Sequence, residues 1–481
     1  MLFNSPEFVL FFGLLVCAYF LIAAKFRWVL LLAASYYFYA SWNPWYTFLI
    51  VGSTLVDFFA GIKIEEARTA RRKKCFLTLS LCSNLSLLFF FKYYGFVAGE
   101  WNSWMTENGE GTTLMPIFNV LLPVGISFYT FQTLSYSIDV YRSERKAERH
   151  LGLFALFVTF FPQLVAGPIE RSSSLLPQLR NLKGFDYLRV REGFQLIYWG
   201  LFKKIVVADW LAEYVETVYA SPESQGGIPS ILATYFFAFQ IYFDFSAYSE
   251  IARGCAKVFG VDLMTNFKTP YQAKSIQEFW QRWHISLSTW FRDYVYFPLG
   301  GSREGLNRTL RNILIVFVVS GIWHGANWTF LIWGGIHGLL LVGYMTSGRL
   351  RSLIFSRSTK CIGGRLTRVL SILVTFHLVL LAWVFFRAET LSDALQIFQN
   401  FGNIFPIVVG NGEIAAGLTR GTFLFLFLGV TLVTFLESRG RIFKLFASEK
   451  TTLRWSVYLL LGFLILTCGH FQPSEFIYFQ F

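Results

Sequence analysis

Apolar segments long enough to cross a hydrocarbon core about 30 Å thick recur from end to end of this sequence, separated by loops of alternating charge character. A bilayer offers no water to an unpaired backbone group, so each segment must satisfy its own N–H and C=O groups. The predicted fold class is therefore all-α and polytopic. With 54% hydrophobic and 15% charged residues in 481, a sizeable soluble domain has no room. Residues 1–481 are read as a single membrane-embedded domain, without an internal repeat or interdomain linker. The N-terminal Met-Leu-Phe-Asn-Ser-Pro-Glu lacks the basic region of a cleavable signal, so the first hydrophobic segment is expected to stay as a span.

Loop charge orients the segments. Residues 6–24, 28–41 and 45–62 read as spans, and the stretch from Lys63 to Lys74 carries six basic residues, which places it in the cytoplasm. Residues 76–97 cross back to the loop 99–113, which holds Glu100, Glu107 and Glu110 without Lys or Arg. Residues 114–140 return to Arg142, Arg145, Lys146 and Arg149, an alternation that places the N-terminus outside. Leu151 to Gly167 is too short for a span and is expected to dip in or lie at the interface. Residues 194–216 and 230–250 form an out-and-back pair, in which Lys203 and Lys204 need snorkelling room, a thin bilayer or acidic partners. Beyond Met345, residues 370–387, 421–437 and 455–470 continue the alternation, and 388–419 is acidic. The expectation is about ten spans plus two re-entrant or interfacial elements.

The net charge of +13 sits in loops between apolar segments, which fits cytoplasmic loops and anionic lipid rather than nucleic acid. Six cysteines without a CxxC pair suggest packing roles. No P-loop, GxSxG, HExxH or carboxylate cluster of metal spacing is present, so neither triphosphate hydrolysis nor a metal site has support.

One histidine stands out. From Asn312 to Met345 the chain has no Asp, Glu, Lys or Arg, yet His324 lies inside, in Val318-Val-Ser-Gly-Ile-Trp-His-Gly-Ala-Asn-Trp328. Basic flanks on both sides, ending in Arg303, Arg308 and Arg311 and resuming at Arg349, Arg351, Arg357, Lys360, Arg365 and Arg368, require the segment to enter and leave on one side. The dozen residues from Ile313 span roughly 18 Å of helix, which puts His324 near mid-membrane at a break that Gly321 and Gly325 permit. An ionisable residue there is a functional candidate. On the residues alone it could equally be a core histidine bonded to a carbonyl, with Asn327 and Ser320 as partners.

Residues 276–297 read as an amphipathic interfacial helix, with Trp280, His284 and Ser288 on one face and Arg292–Asp293 as a candidate ion pair. Gln240, Asp244 and Tyr248 share a helical face. With Pro123–Tyr136 and Phe161–Arg171 they could line a polar cavity or act as interhelical hydrogen-bond glue. His337 reads as a cap or packing residue, and His150, His377 and His470 as structural.

The blocks Phe279-Trp-Gln-Arg-Trp-His-Ile-Ser-Leu-Ser-Thr-Trp-Phe-Arg-Asp-Tyr-Val-Tyr-Phe-Pro-Leu-Gly300 and Ser320-Gly-Ile-Trp-His-Gly-Ala-Asn-Trp328 resemble the signature blocks of the membrane-bound O-acyltransferases. Leu122–Gln132, Val165–Arg171 and Phe243–Ser249 are similar too. The resemblance is strongest to the bacterial branch of alginate and peptidoglycan O-acetylation and teichoic-acid D-alanylation proteins. It is centred on residues about 115–345, with looser helices over 346–481. It implies a helical ring with a thin centre and a tunnel, in a bacterial cytoplasmic membrane. It maps the family's catalytic histidines onto His324 and His284. Trp323, Arg282, Asp293, Ser288, Gln240, Asp244 and Tyr248 are supporting or substrate-binding candidates, as is Asn327, to which no motif assigns a role. It further implies an acyl thioester co-substrate (acetyl-coenzyme A or an acyl carrier protein), no tightly bound cofactor, a polysaccharide acceptor and an extracytoplasmic transferase partner. The rival readings are D-alanyl transfer from a carrier protein, a lipid or protein acyltransferase, and a non-enzymatic transporter or flippase.

Overall fold

The computed structural model describes residues 1–109, 114–118, 120–165, 167–348, 364–403, 413–415, 417–471 and 476–477. Glu110, Arg349, Arg351, Arg357, Lys360 and Cys361, used above for topology or cysteine count, lie outside them. Apart from a two-stranded ribbon, Glu413–Ala415 with Leu418–Thr419, the regular structure of the described residues is helical.

Two compact units emerge: Met1–Ile197 with Ser249–Met264, and Tyr198–Tyr248 with Thr265–Phe481. The first contains α1 (Pro6–Leu21), α2 (Arg27–Ala40), α3 (Tyr46–Glu66), α4 (Ala70–Leu88), α5 (Tyr94–Glu107), α6 (Ile126–Tyr141), α7 (Leu151–Thr159), α8 (Phe161–Leu164) and α9 (Ser172–Arg180). Caps set the starts. Ser5 accepts the Phe8 N–H ahead of Pro6, and His150 accepts the Leu153 N–H at α7, so His150 is structural. A π turn at Phe89–Tyr93 joins α4 to α5 into one apolar helix of 38 residues. Helix therefore continues to Glu107, well into the stretch expected to be an external loop. The expected non-spanning segment after Leu151 is the pair α7 and α8, broken before Pro162.

The next helices, α10 (Tyr187–Phe202) and α12 (Gly227–Val258), pass through both units, with α11 (Asp209–Tyr219) between them. Gly193 and Gly254 bring α10 and α12 together, since a Cβ at Gly254 would lie 2.5 Å from the Gly193 carbonyl oxygen. The second unit adds α13 (Ile276–Arg282), α14 (Ile285–Phe291), α15 (Leu306–His324), α16 (Trp328–Thr346), and helices Gly364–Arg387, Leu391–Gly402, Arg420–Glu437, Arg441–Phe446 and Thr451–Cys468. Seven of the described helical runs are long and apolar enough to cross a membrane, fewer than the ten spans expected. Six of the ten are among them; those missing are α1, α2 and α6, of 16, 14 and 16 residues, and the charged segment expected over 194–216. The seventh is α16, half of the segment read above as entering and leaving on one side with His324 near mid-membrane.

Within the first unit α3, α4 and α6 are pinned by a buried carboxylate. Asp57 accepts from Ser80 Oγ at 2.6 Å and from Asn84 Nδ2 at 2.9 Å on both oxygens. Asn84→Ala should cost about 1–3 kcal/mol of stability by removing the amide that bonds both oxygens of that buried carboxylate. Thermal unfolding in detergent should show the Asp57→Ala, Asn84→Ala double variant losing less than the sum of the singles. Strict additivity would refute the coupling.

Glu170, 2% exposed, accepts the Met264 N–H at 2.6 Å. Burial pushes its carboxyl from 4.5 up to about 7, against that bond and the charges of Arg171 and Arg253. Because the folded value lies above the unfolded one, its stabilising contribution is full below 4.5 and is lost as pH rises through about 7. Unfolding temperatures of Glu170→Gln should therefore fall less steeply than wild type between about pH 5 and about pH 8.

Candidate active site

Helices α15 and α16 form the hairpin that holds His324. Gly321 and Gly334 let them touch backbone to backbone: a Cβ at Gly321 would sit 2.3 Å from the Phe330 oxygen, and one at Gly334 2.3 Å from the Phe317 oxygen. His324 is the last residue of α15, and Gly325 continues in extended conformation at φ −163°. Asn327 restarts the chain by accepting the Thr329 N–H at 3.0 Å, and its amide donates to the Glu389 carbonyl at 2.6 Å. Those bonds commit Asn327 to the turn; neither goes to the His324 ring, the partner suggested for it above.

His284 occupies a second break, and here the expectation is corrected. Residues 276–297 are not one amphipathic helix. Trp283 is extended and His284 adopts φ 41°, ψ 56°, between α13 and α14. Trp280, His284 and Ser288 therefore do not share a helical face, and the Ser288 hydroxyl bonds the Trp283 carbonyl. The break holds because Asn266 takes over the first turn of α14: its carbonyl accepts the Ile285 N–H at 2.9 Å and its Oδ1 the Ser286 N–H at 3.2 Å. A left-handed non-glycine residue costs about 1–2 kcal/mol and persists where the surroundings over-determine it. Arg282 adds to that determination. Its guanidinium bonds Glu278 at 2.6 Å and Thr269 Oγ1 at 3.3 Å, and its carbonyl accepts the Lys268 N–H. Burial works against ionisation of Glu278, but the Lys274 N–H and the Arg282 charge outweigh it, holding the carboxyl below its usual range.

Both imidazoles are buried among rings. His284 meets Phe245 edge-on at 4.7 Å and Trp323 at 6.3 Å; Trp323 in turn lies 4.9 Å from His324. Past His324, Trp333 stands 4.9 Å away, and 4.9 Å beyond it lies His337. Three histidines thus alternate with two tryptophans. His337 is fully buried with Phe279, Trp280 and Trp383 around it, which fits the packing role expected of it.

The Gln240 face serves another purpose. Asp244 pairs with Lys204 at 2.8 Å and accepts the Ile477 N–H at 2.8 Å, while Lys204 also reaches Asp209 at 2.8 Å. Lys203 bonds Glu437 and Ser246, each at 2.7 Å, and Tyr242 donates to the other Glu437 oxygen at 2.5 Å. Of the three ways to keep lysines in an apolar segment, acidic partners are the one observed. Tyr248 packs on Phe476 at 4.7 Å, and Gln240 is buried, its Oε1 without a hydrogen bond among the described residues. Asp293 pairs with Arg292 at 2.8 Å, as read from the sequence. In the first unit Gln132 and Gln163 both donate to the Phe157 carbonyl, the glue role for those two motifs. His377 bonds Tyr235 at 2.7 Å, and the His470 ring lies 5.3 Å from Trp210. Among the described residues no group of His, Cys, Asp or Glu could hold a metal ion.

Sequence reasoning missed Asn266, Trp333 and Phe386. Trp333 lies in the noted run Trp333-Gly-Gly-Ile-His-Gly338, but it reaches His324 only across the hairpin turn, which helical spacing does not reveal.

Fold and site together define a multi-pass membrane protein with buried imidazoles at two helix breaks. The sequence profile of the membrane-bound O-acyltransferase family matches residues 74–384, and the chain belongs to that family. It is therefore an acyltransferase. It is 36% identical over 433 residues to a peptidoglycan O-acetyltransferase of Helicobacter pylori, covering 83% of this chain and 79% of that protein. Against a probable alginate O-acetylase AlgI of Azotobacter vinelandii the identity is 39% over 401 residues, 83% of this chain and 77% of the relative. A teichoic acid D-alanyltransferase of Streptococcus thermophilus matches at 27% over 391 residues, 72% and 94% respectively.

Lys204→Met would leave two buried carboxylates facing each other, at an expected loss of about 3–5 kcal/mol. Adding Asp244→Asn should recover part of it in detergent melts; no recovery would refute the ion-pair account.

Proposed function

We propose that this protein transfers an acetyl group from a cytoplasmic thioester toward hydroxyls of an extracytoplasmic cell-surface polysaccharide, with a partner transferase completing delivery. The protein sits in a bacterial cytoplasmic membrane with its N-terminus outside. The single observation that carries the reading is the buried His324 at the break of the hairpin, one tryptophan away from a second buried imidazole.

His324 acts as general base. It takes the proton of the acceptor hydroxyl as that oxygen attacks the thioester carbonyl carbon. His284 polarises the carbonyl and stabilises the tetrahedral oxyanion, or orients the donor. Collapse breaks the C–S bond, and the leaving thiolate takes the proton back from the imidazolium, so the step balances without another reactant. Resident metal or cofactor chemistry is not required. Attack by His324 itself, giving an acyl-histidine relay, uses the same geometry.

Acetyl is favoured over D-alanyl because the relatives named for O-acetylation match at 36–39% identity and the D-alanyltransferase at 27%. Purified protein given radiolabelled acetyl-coenzyme A, and separately a carrier-bound D-alanyl thioester, decides between them. The expected result is turnover of the acetyl donor, with His324→Ala lowering the rate by at least about a hundred-fold. A folded His324→Ala protein that acetylates at the wild-type rate overturns the base assignment. Substrate movement without acyl turnover would instead support a transporter.

A further inference from the structure

The imidazole of His324 is enclosed by Trp323 at 4.9 Å, Trp333 at 4.9 Å and Phe386 at 5.2 Å, with interplanar angles of 71°, 86° and 73°. We infer that this aromatic cage, Trp333 above all, stabilises the imidazolium that forms when His324 takes the hydroxyl proton, making Trp333 a positioning residue of the transfer. The inference rests on the reading of His324 as base.

A cation formed away from water is costly unless something replaces its hydration. The three rings meet the imidazole near-perpendicularly, in edge-to-face contacts, and a cation set over an aromatic face within about 6 Å is stabilised by the ring, most strongly by tryptophan. Trp333 is fully buried, and its Nε1–H has no acceptor among the described residues. A buried indole N–H normally finds a partner. What this indole adds over phenylalanine is therefore its larger, more electron-rich face rather than a hydrogen bond. The ring is also clamped: His337 meets it at 4.9 Å, Trp383 stacks at 6.0 Å, and Phe386 lies at 5.2 Å. A ring held this way needs no reorganisation when the charge appears, which is the property that makes electrostatic stabilisation effective.

The effect belongs to the charged stage of the reaction, so it falls on kcat and not on donor binding. Trp333→Leu should lower kcat about thirty-fold, the rate equivalent of ~2 kcal/mol, with KM for the acetyl donor within about two-fold. Trp333→Phe should rescue most of the loss. Site-specific mono-, di- and trifluorotryptophan at 333 keeps shape and packing while draining the π face, and serves even where Trp333→Leu fails to accumulate. The expected result is a kcat that falls step by step with fluorine count at constant KM. A flat series, or a KM that rises as kcat falls, overturns the cage. Loss of activity in His324→Ala alongside a flat series refutes the cage alone; full activity in His324→Ala refutes the base reading beneath it.

Discussion

The contact between the backbones of α15 and α16 at Gly321 and Gly334 is the constraint from which the site follows. With 2.3 Å between an imagined Cβ and the facing carbonyl oxygen, neither position accepts any side chain without parting the helices. That closeness puts the end of one helix against the flank of the other, so His324 and Trp333 meet although a turn separates them. In lipid, where apolar burial gives little drive to associate, such packing is what holds two helices in register.

Both imidazoles sit where a helix stops. An interrupted helix leaves N–H groups that lipid cannot satisfy, and each break is closed by an asparagine: Asn327 behind His324 and Asn266 behind His284. The arrangement frees each ring from the side-chain spacing of a continuous helix. It also stores strain at His284, and at Thr269 with φ 45°, two left-handed residues tied together through Arg282.

Much of this was legible in the sequence. Charge alternation and apolar length gave the all-helical class, and the charge-free segment with its glycines gave the hairpin and the break beside His324. The His284 region was misread because its apolar and aromatic spacing suits a helix. The deciding group, Asn266, lies eighteen residues earlier and acts through its amide, a contact that no periodicity encodes. The cage was hidden for a related reason, as Phe386 joins it from a separate helix. Acidic partners were one of three accommodations open to Lys203 and Lys204, and Glu437 could not be named because it is more than two hundred residues away.

The turn that carries those lysines is a π segment, Lys203–Ala208, set into an otherwise regular run from α10 to α11. Such a segment accommodates one more residue than an α turn. In helical terms it is a phase shift of about 100°, so everything after it presents a different face from the one its spacing predicts. Asp209 meets Lys204 on the shifted side. A family member lacking one residue here would carry not a shorter helix but a rotated one, and sequence alignments across this stretch have to be read with that turn in mind.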